Sequence, residues 1–214
     1  NDVWLISEWI PDGSLKERLH SNNPKNLLSP NDKAKIAYEI AEAMEYIHSE
    51  NVLYLDLNPS NILLLKDPDS HSHLSLIPKI IDFSSARLNG DTLGIKKEKL
   101  KHINYMSSEV QSGKKYGKYS DIYSYSMILW EMITGVVPLS NIAEDLLPVN
   151  IENGVNLDFN DHFDANSPLK DIISSGTRLA TERRTSDFGE ILKKMRIGRI
   201  TFTGGRQDEM TEFY

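Results

Sequence analysis

Cysteine is absent from the 214 residues. Disulfide scaffolds, cysteine-ligated zinc and thiol nucleophiles are therefore excluded, and a reducing compartment is permitted. No apolar run approaches the roughly 20 residues that a membrane-spanning helix needs. The opening Asn1-Asp2-Val3-Trp4 carries neither the basic region nor the long apolar stretch of a secretory leader. These absences set the expectation of a cytoplasmic protein with no membrane span. Positive charge is in short supply: 24 Lys and Arg against 31 Asp and Glu, a net charge of −7. That balance argues against a nucleic-acid partner and against a polybasic membrane surface. No internal repeat is visible. A starting Met is missing too, and Val3–Ile10 reads as a strand already in mid-fold, so the chain is expected to be a piece of something longer.

What is present suits a globular protein, with 39% hydrophobic and 26% charged residues. The length allows one large domain or two small ones. Val3–Ile10 is aromatic and β-branched, and Pro11-Asp12-Gly13-Ser14 ends it with turn chemistry. Leu15–His20 fits a turn or two of helix. Ser29-Pro30-Asn31-Asp32 is a helix start, with a capping Ser, Pro at the first helical position and an early acid. Ile36, Ile40, Met44 and Ile47 then recur near helical spacing, predicting a helix to about His48. Asn51–Leu65 reads as strand, polar loop, strand. Lys79–Phe83 reads as a short buried strand ending on an acid, and Ser84–Lys101 as a loop. Ser120–Thr134 is the most apolar helix, closed by Gly135. Pro168–Ala180 and Ser186–Met195 are two more, and the tail after Arg196 shows no clear element.

The chemistry concentrates in Tyr54-Leu55-Asp56-Leu57-Asn58-Pro59-Ser60-Asn61, where an acid and an amide share one loop between apolar strands. Further on, Ile80-Ile81-Asp82-Phe83-Ser84 presents a second acid at a strand end. One carboxylate can orient a hydroxyl and accept its proton, while the other and the amide oxygen hold Mg²⁺ on a nucleotide's phosphates. Taken singly, each acid reads as a solvated loop residue. The combination, with Asn61 at its offset and apolar flanks, is a sharper signal. His71 and His73, the basic run Lys96–Lys101 and Thr203-Gly204-Gly205-Arg206 read more plainly as solvated loop residues.

The ordered set resembles the eukaryotic-type protein kinase family, in its Ser/Thr or tyrosine-kinase-like groups. The family's catalytic loop, H-R-D-L-K-P-x-N, stands here as Y-L-D-L-N-P-S-N, and its D-F-G as D-F-S. The A-P-E region corresponds to Tyr105-Met106-Ser107-Ser108-Glu109. Asp121 to Glu131 is similar to the family's central helix, and Glu182-Arg183-Arg184-Thr185 to its last conserved block. The resemblance implies an α+β, kinase-like fold: a mostly helical C-terminal lobe with a small β patch, the N-terminal lobe being largely absent. Residues 1–14 would be the last N-lobe strand and the hinge, 15–196 the C-terminal lobe and 197–214 a tail.

It also implies roles. Asp56 would be the catalytic base, Asn61 and Asp82 the Mg²⁺ ligands. Glu8 and Ile10 would offer backbone groups to the adenine of ATP, with Ser7 as a small gatekeeper and Leu63 packed under the ring. Glu109 would form a buried ion pair with Arg183, or with Arg184 in the neighbouring register. Asp121 would brace the catalytic loop. The implied partner is a protein substrate or a signalling protein. Departures accompany these matches. Tyr54 stands for a histidine. Leu55 stands for the arginine that pairs with a phosphorylated loop, so phospho-switching through it is not expected. Asn58 stands for the lysine that neutralises the transferred phosphate. Ser84 stands for a glycine, and His102 for a threonine facing the base. The expectation is a Ser/Thr kinase in the complete protein. The alternative is a pseudokinase scaffold, and on its own this stretch is expected to be inactive.

Overall fold

In the computed structural model the described residues are 6–67, 76–91, 102–159, 167–185, 187–198, 200 and 202. The expectations for Val3–Leu5, His71, His73, Lys96–Lys101 and residues 203–214 lie outside them.

Seven α-helices and four short strands are described. Ser14 opens α1 (Leu15–Leu19) in a capping box with Glu17, its side chain accepting from the Glu17 N–H. Ser29 does the same for α2 (Pro30–Ser49), where Pro30 brings a preset φ and no orphan N–H. The Ile36, Ile40, Met44 and Ile47 stripe of α2 is buried. Each such side chain contributes roughly 1.5–3 kcal/mol of transfer free energy.

Two antiparallel pairs make up the β patch. β1 (Val52–Leu53) pairs with β4 (Arg87–Leu88), and β2 (Ile62–Lys66) with β3 (Leu76–Ile80), Ile62 facing Ile80. β3 begins earlier than its apolar run suggested, stops at Ile80 and is half-buried along its length. Asp82 ends any continuation by adopting a left-handed conformation, φ 56°. β4 lies inside the stretch expected to be loop. It is visible only through its partner, since two residues carry no period of their own. The expected strand at Val3–Ile10 is not formed over Ile6–Ile10, which is irregular, with Ile6 and Trp9 92% and 85% exposed. Aromatic and β-branched residues favour a strand only beside a partner that takes their backbone groups, and among the described residues none pairs there.

α3 (Ser108–Gln111) precedes α4 (Lys118–Thr134), which Gly135 closes at φ 71°. Every residue of α4 from Ser120 to Met132 is buried, the condition of a helix surrounded by protein on all sides. It packs against α2, α6 (Pro168–Gly176) and the turn at Ile103–Tyr105, while α2 packs against α7 (Phe188–Gly198). α6 stops at Gly176, short of Ala180, and a Cβ there would collide with Ser126 Oγ on α4. The short α5 (Leu147–Glu152) lies against α3. The result is a largely helical lobe with a small β patch, and the loop Tyr54–Asn61 connects β1 to β2.

Candidate active site

The loop between β1 and β2 is built on a buried acid from the central helix. Asp121 is inaccessible to solvent. Its Oδ2 accepts from the Tyr54 N–H at 2.9 Å and its Oδ1 from the Leu55 N–H at 2.7 Å. His48, at the end of α2, sits with Nε2 2.8 Å from the same Oδ2, so this nitrogen carries the donated proton. One carboxylate thus ties α2, α4 and the loop together. The tie holds Leu55 at φ 66°, a conformation that costs a non-glycine residue about 1–3 kcal/mol and persists only where surroundings enforce it. Leu55 does not dangle where the family has arginine. It is buried with Leu53, Met106 and Val110 in a small apolar cluster.

Asp56 follows, half-buried. Asn58 Nδ2 donates to its Oδ1 at 3.2 Å and to its carbonyl at 2.8 Å. Asn61 Nδ2 donates to its Oδ2 at 3.0 Å and to the same carbonyl at 2.9 Å. Two amides therefore fix the carboxylate's position. Burial raises its pKa above the ordinary value, opposed by the charge of His102 and the Asn61 hydrogen bond and abetted by Asp82. The linkage follows: the folded chain binds this proton more tightly than the unfolded chain. The associated stability is present below the ordinary carboxylate range and is lost as pH rises through the folded value. A carboxylate made more basic in this way is also a better proton acceptor.

The second acid arrives from the β2–β3 pair. The Ile81 N–H donates to the Asn61 carbonyl at 3.0 Å, which sets Asn61 and the residue before Asp82 side by side. Tyr54 fills the space behind them, its hydroxyl hydrogen-bonded to the Ile81 carbonyl and its ring edge-on to Phe83 at 5.1 Å. Burial pushes the Tyr54 hydroxyl's pKa up, and Asp56, Asp82 and Asp121 add to the shift. Asp82 is exposed, and its side chain accepts from the Ser84 N–H at 3.1 Å. Ser84 thus serves the turn with its backbone alone.

The segment before α1 lies along β2. The Gly13 carbonyl accepts from the Leu64 N–H at 2.9 Å, Ser14 bridges Leu63, and Asp12 Oδ2 accepts from the Lys66 N–H at 3.0 Å. Leu63 is half-buried there, Ile10 is buried, and Ser7 and Glu8 are exposed. Glu8 lies 3.4 Å from Lys79 of β3.

Glu109 pairs with Arg184 Nη1 at 2.7 Å, both side chains almost wholly buried. Of the two registers the sequence allows, the structure takes the second. Arg183 is exposed, on a short 3-10 turn (Thr181–Arg183) that faces its side chain to solvent. Ser120 Oγ donates to the same Glu109 oxygen at 2.8 Å. His48, Ser120 and Asn58 are site-supporting residues that sequence reasoning missed or read otherwise. His48 looked like a helix-end residue, and Asn58 a lost charge. Only the fold shows that His48 reaches Asp121 across 73 positions.

No helix among the described residues is long and apolar enough to cross a membrane. The protein kinase domain model matches residues 1–196. Among curated relatives, the serine/threonine-protein kinase STY17 of Arabidopsis thaliana is 29% identical over 142 residues, 66% of this chain and 23% of the relative. A probable serine/threonine-protein kinase of Dictyostelium discoideum is 34% identical over 141 residues, 66% of this chain and 14% of the relative. The dual specificity protein kinase splA, also of Dictyostelium discoideum, is 33% identical over 156 residues, 69% of this chain and 6% of the relative. The chain thus spans less than a quarter of the length of these relatives. The family match runs through the Asp56 loop, the central helix and the Glu109–Arg184 pair alike, and on that ground the chain belongs to the protein kinase domain family.

Proposed function

We propose that this chain carries the catalytic lobe of a protein kinase that transfers the γ-phosphate of ATP to Ser or Thr hydroxyls of a protein substrate. The observation that carries the reading is the Asp56 carboxylate, fixed by two amides on a strained loop with Asp82 close by. In this reading Asp56 orients the substrate hydroxyl and takes its proton as the oxygen attacks. The serine/threonine kinases among the relatives support the hydroxyl class, and a cytoplasmic protein or signalling partner is the setting that fits.

The donor set suits Mg²⁺. Among the described residues no group of three His, Cys, Asp or Glu side chains could hold a metal by itself. Mg²⁺, however, is usually bound by one or two protein oxygens, with phosphates and water completing the shell. Asn61 spends its amide nitrogen on Asp56, which leaves its amide oxygen to serve with the Asp82 carboxylate as a ligand of the ion. When bound, the ion neutralises charge on the phosphates. Leu63 would lie under the adenine, with the backbone of Glu8 and Ile10 along its edge and Ser7 at the back of the pocket.

A second reading, a pseudokinase scaffold, is favoured by Asn58. It is fully buried and offers an amide where the family supplies a cation to the transferred phosphate. The test is nucleotide binding and phosphotransfer by the intact protein, with and without Mg²⁺, beside Asp56→Asn. Transfer that vanishes in the variant supports the enzyme. Nucleotide binding without transfer, or neither, moves the reading to the scaffold.

A further inference from the structure

A second buried acid of the central helix lies outside the machinery described so far. Glu131, near the end of α4, has no exposed surface. Its Oε2 accepts from the Tyr105 hydroxyl at 2.6 Å, and its Oε1 lies 2.7 Å from Nε2 of His20, the residue that caps α1. Tyr105 is itself buried, whereas the His20 ring is 30% exposed. A carboxylate sealed in protein is thus joined to water through one imidazole.

We propose that His20 is a positioning residue: acting through Glu131 and Tyr105, it holds the segment His102–Met106 against the central helix, with a strength that depends on pH. Tyr105 anchors this segment at one end. Its N–H donates to the His102 carbonyl at 2.9 Å, closing a turn in which His102 stands at φ 55°. The charge of His102 is felt at Asp56, so whatever holds Tyr105 also holds His102 near the candidate base. The segment's hold therefore bears on the site, and that part of the inference rests on the proposed function.

The pH dependence follows from the groups that face Glu131. From α1 these are His20 and, one turn earlier, Lys16; from the turn before α3, Tyr105; from α2, Lys33, whose ammonium is taken by the Met132 carbonyl at 2.7 Å. Burial raises the Glu131 pKa, and the hydrogen bonds from Tyr105 and His20 oppose that shift. Histidine is the side chain whose charge ordinarily changes between pH 5 and 8. A charged imidazole gives the buried carboxylate a counter-ion, and a neutral one leaves it a plain hydrogen bond, the weaker of the two. The segment is therefore held more tightly at the acid end of that range.

Amide hydrogen exchange in residues 103–106 of the intact protein reads this hold without any phosphotransfer. After correction for intrinsic rates, protection is expected to fall as pH rises from 5.5 to 8. His20→Gln keeps a donor but no titrating charge, and should flatten the profile. His20→Ala should raise local exchange about tenfold, the equivalent of one charge-assisted hydrogen bond. Glu131→Gln, whose amide oxygen accepts from His20 while its N–H donates to a Tyr105 hydroxyl turned to accept, should flatten it as well. Exchange in Met127–Leu129, midway along the same helix, monitors global opening and should not follow. A profile that is flat in the wild type, or unchanged in His20→Gln, overturns the proposal. Absence of phosphotransfer by the intact wild-type protein, with the pH-dependent exchange profile observed, would overturn the kinase reading and leave the positioning role standing.

Discussion

Asp82 and Asn58 show how differently two residues of one site answer to substitution. Asp82 is exposed and accepts from the Ser84 N–H in the turn. Asp82→Asn keeps an acceptor there and removes the charge. It should weaken Mg²⁺-dependent nucleotide binding by tenfold or more, about the weight of one lost charged ligand. Titration of a fluorescent nucleotide with and without Mg²⁺ checks this, and equal affinity for variant and wild type would remove Asp82 from the metal site. Asn58 is the converse, fully buried and bonded to Asp56. Asn58→Lys brings a cation to Asp56 and, on the kinase reading, is expected to raise the rate of phosphotransfer. It should also lower the melting temperature, because an ammonium replaces an amide that had its partners. A lower melting temperature with no gain in rate would mean that another cation already serves the phosphate.

At the scale of elements, the contact between α4 and α6 depends on a single missing side chain. A Cβ on Gly176 would collide with Ser126 Oγ, and the next residue it meets, Ile122, has its Cγ2 at 3.3 Å. Both neighbours belong to the fully buried face of α4, and Ser126 is held by the Ile122 carbonyl at 2.8 Å. Neither can give way cheaply. Gly176→Ala, though it improves helix propensity, should destabilise the fold by about 1–3 kcal/mol, the usual penalty for overpacking. Urea denaturation measures it, and a stabilised variant would show that the helices can slide apart. Element ends were legible where a cap stands in the sequence. Ser29, Pro30 and Gly135 marked α2 and the end of α4, because capping is local chemistry between neighbours. Ends without a cap were misjudged: α6 stops before Ala180, and β3 is displaced toward Leu76.

At the scale of the whole molecule, Arg184 links the far end of the chain to the segment after the site. Its guanidinium meets Glu109 across 75 positions, and it also donates to the Tyr119 and Arg178 carbonyls. Arg184→Ala would leave the Glu109 carboxylate buried without its counter-ion, a change that costs about 3–5 kcal/mol. Arg183→Ala, at an exposed position, should fall within about 0.5 kcal/mol of the wild type. Parallel thermal melts of the two variants distinguish them. Comparable losses from both would mean that the ion pair is not the clamp described. The resemblance narrowed this partner to two adjacent arginines and went no further, because neighbours in sequence differ only in which way a short 3-10 turn faces them.

What the sequence determined by itself is the local and the ordered. Capping residues placed the start of α2 and the end of α4, and the apolar stripe of α2 named its buried face. The Y-L-D-L-N-P-S-N loop and the D-F-S turn, in their order along the chain, pointed to the kinase family. Tertiary structure alone decided the rest: that His48 and two backbone amides converge on Asp121, that Asn58 holds Asp56 rather than merely lacking a charge, and that Glu131 is shared by Tyr105 and His20. The physical reason is common to all three. A buried polar group must find its partner wherever the packed chain brings one. Those partners lie tens of residues away, except at Asn58, where it is the fold of a strained loop that turns the amide inward.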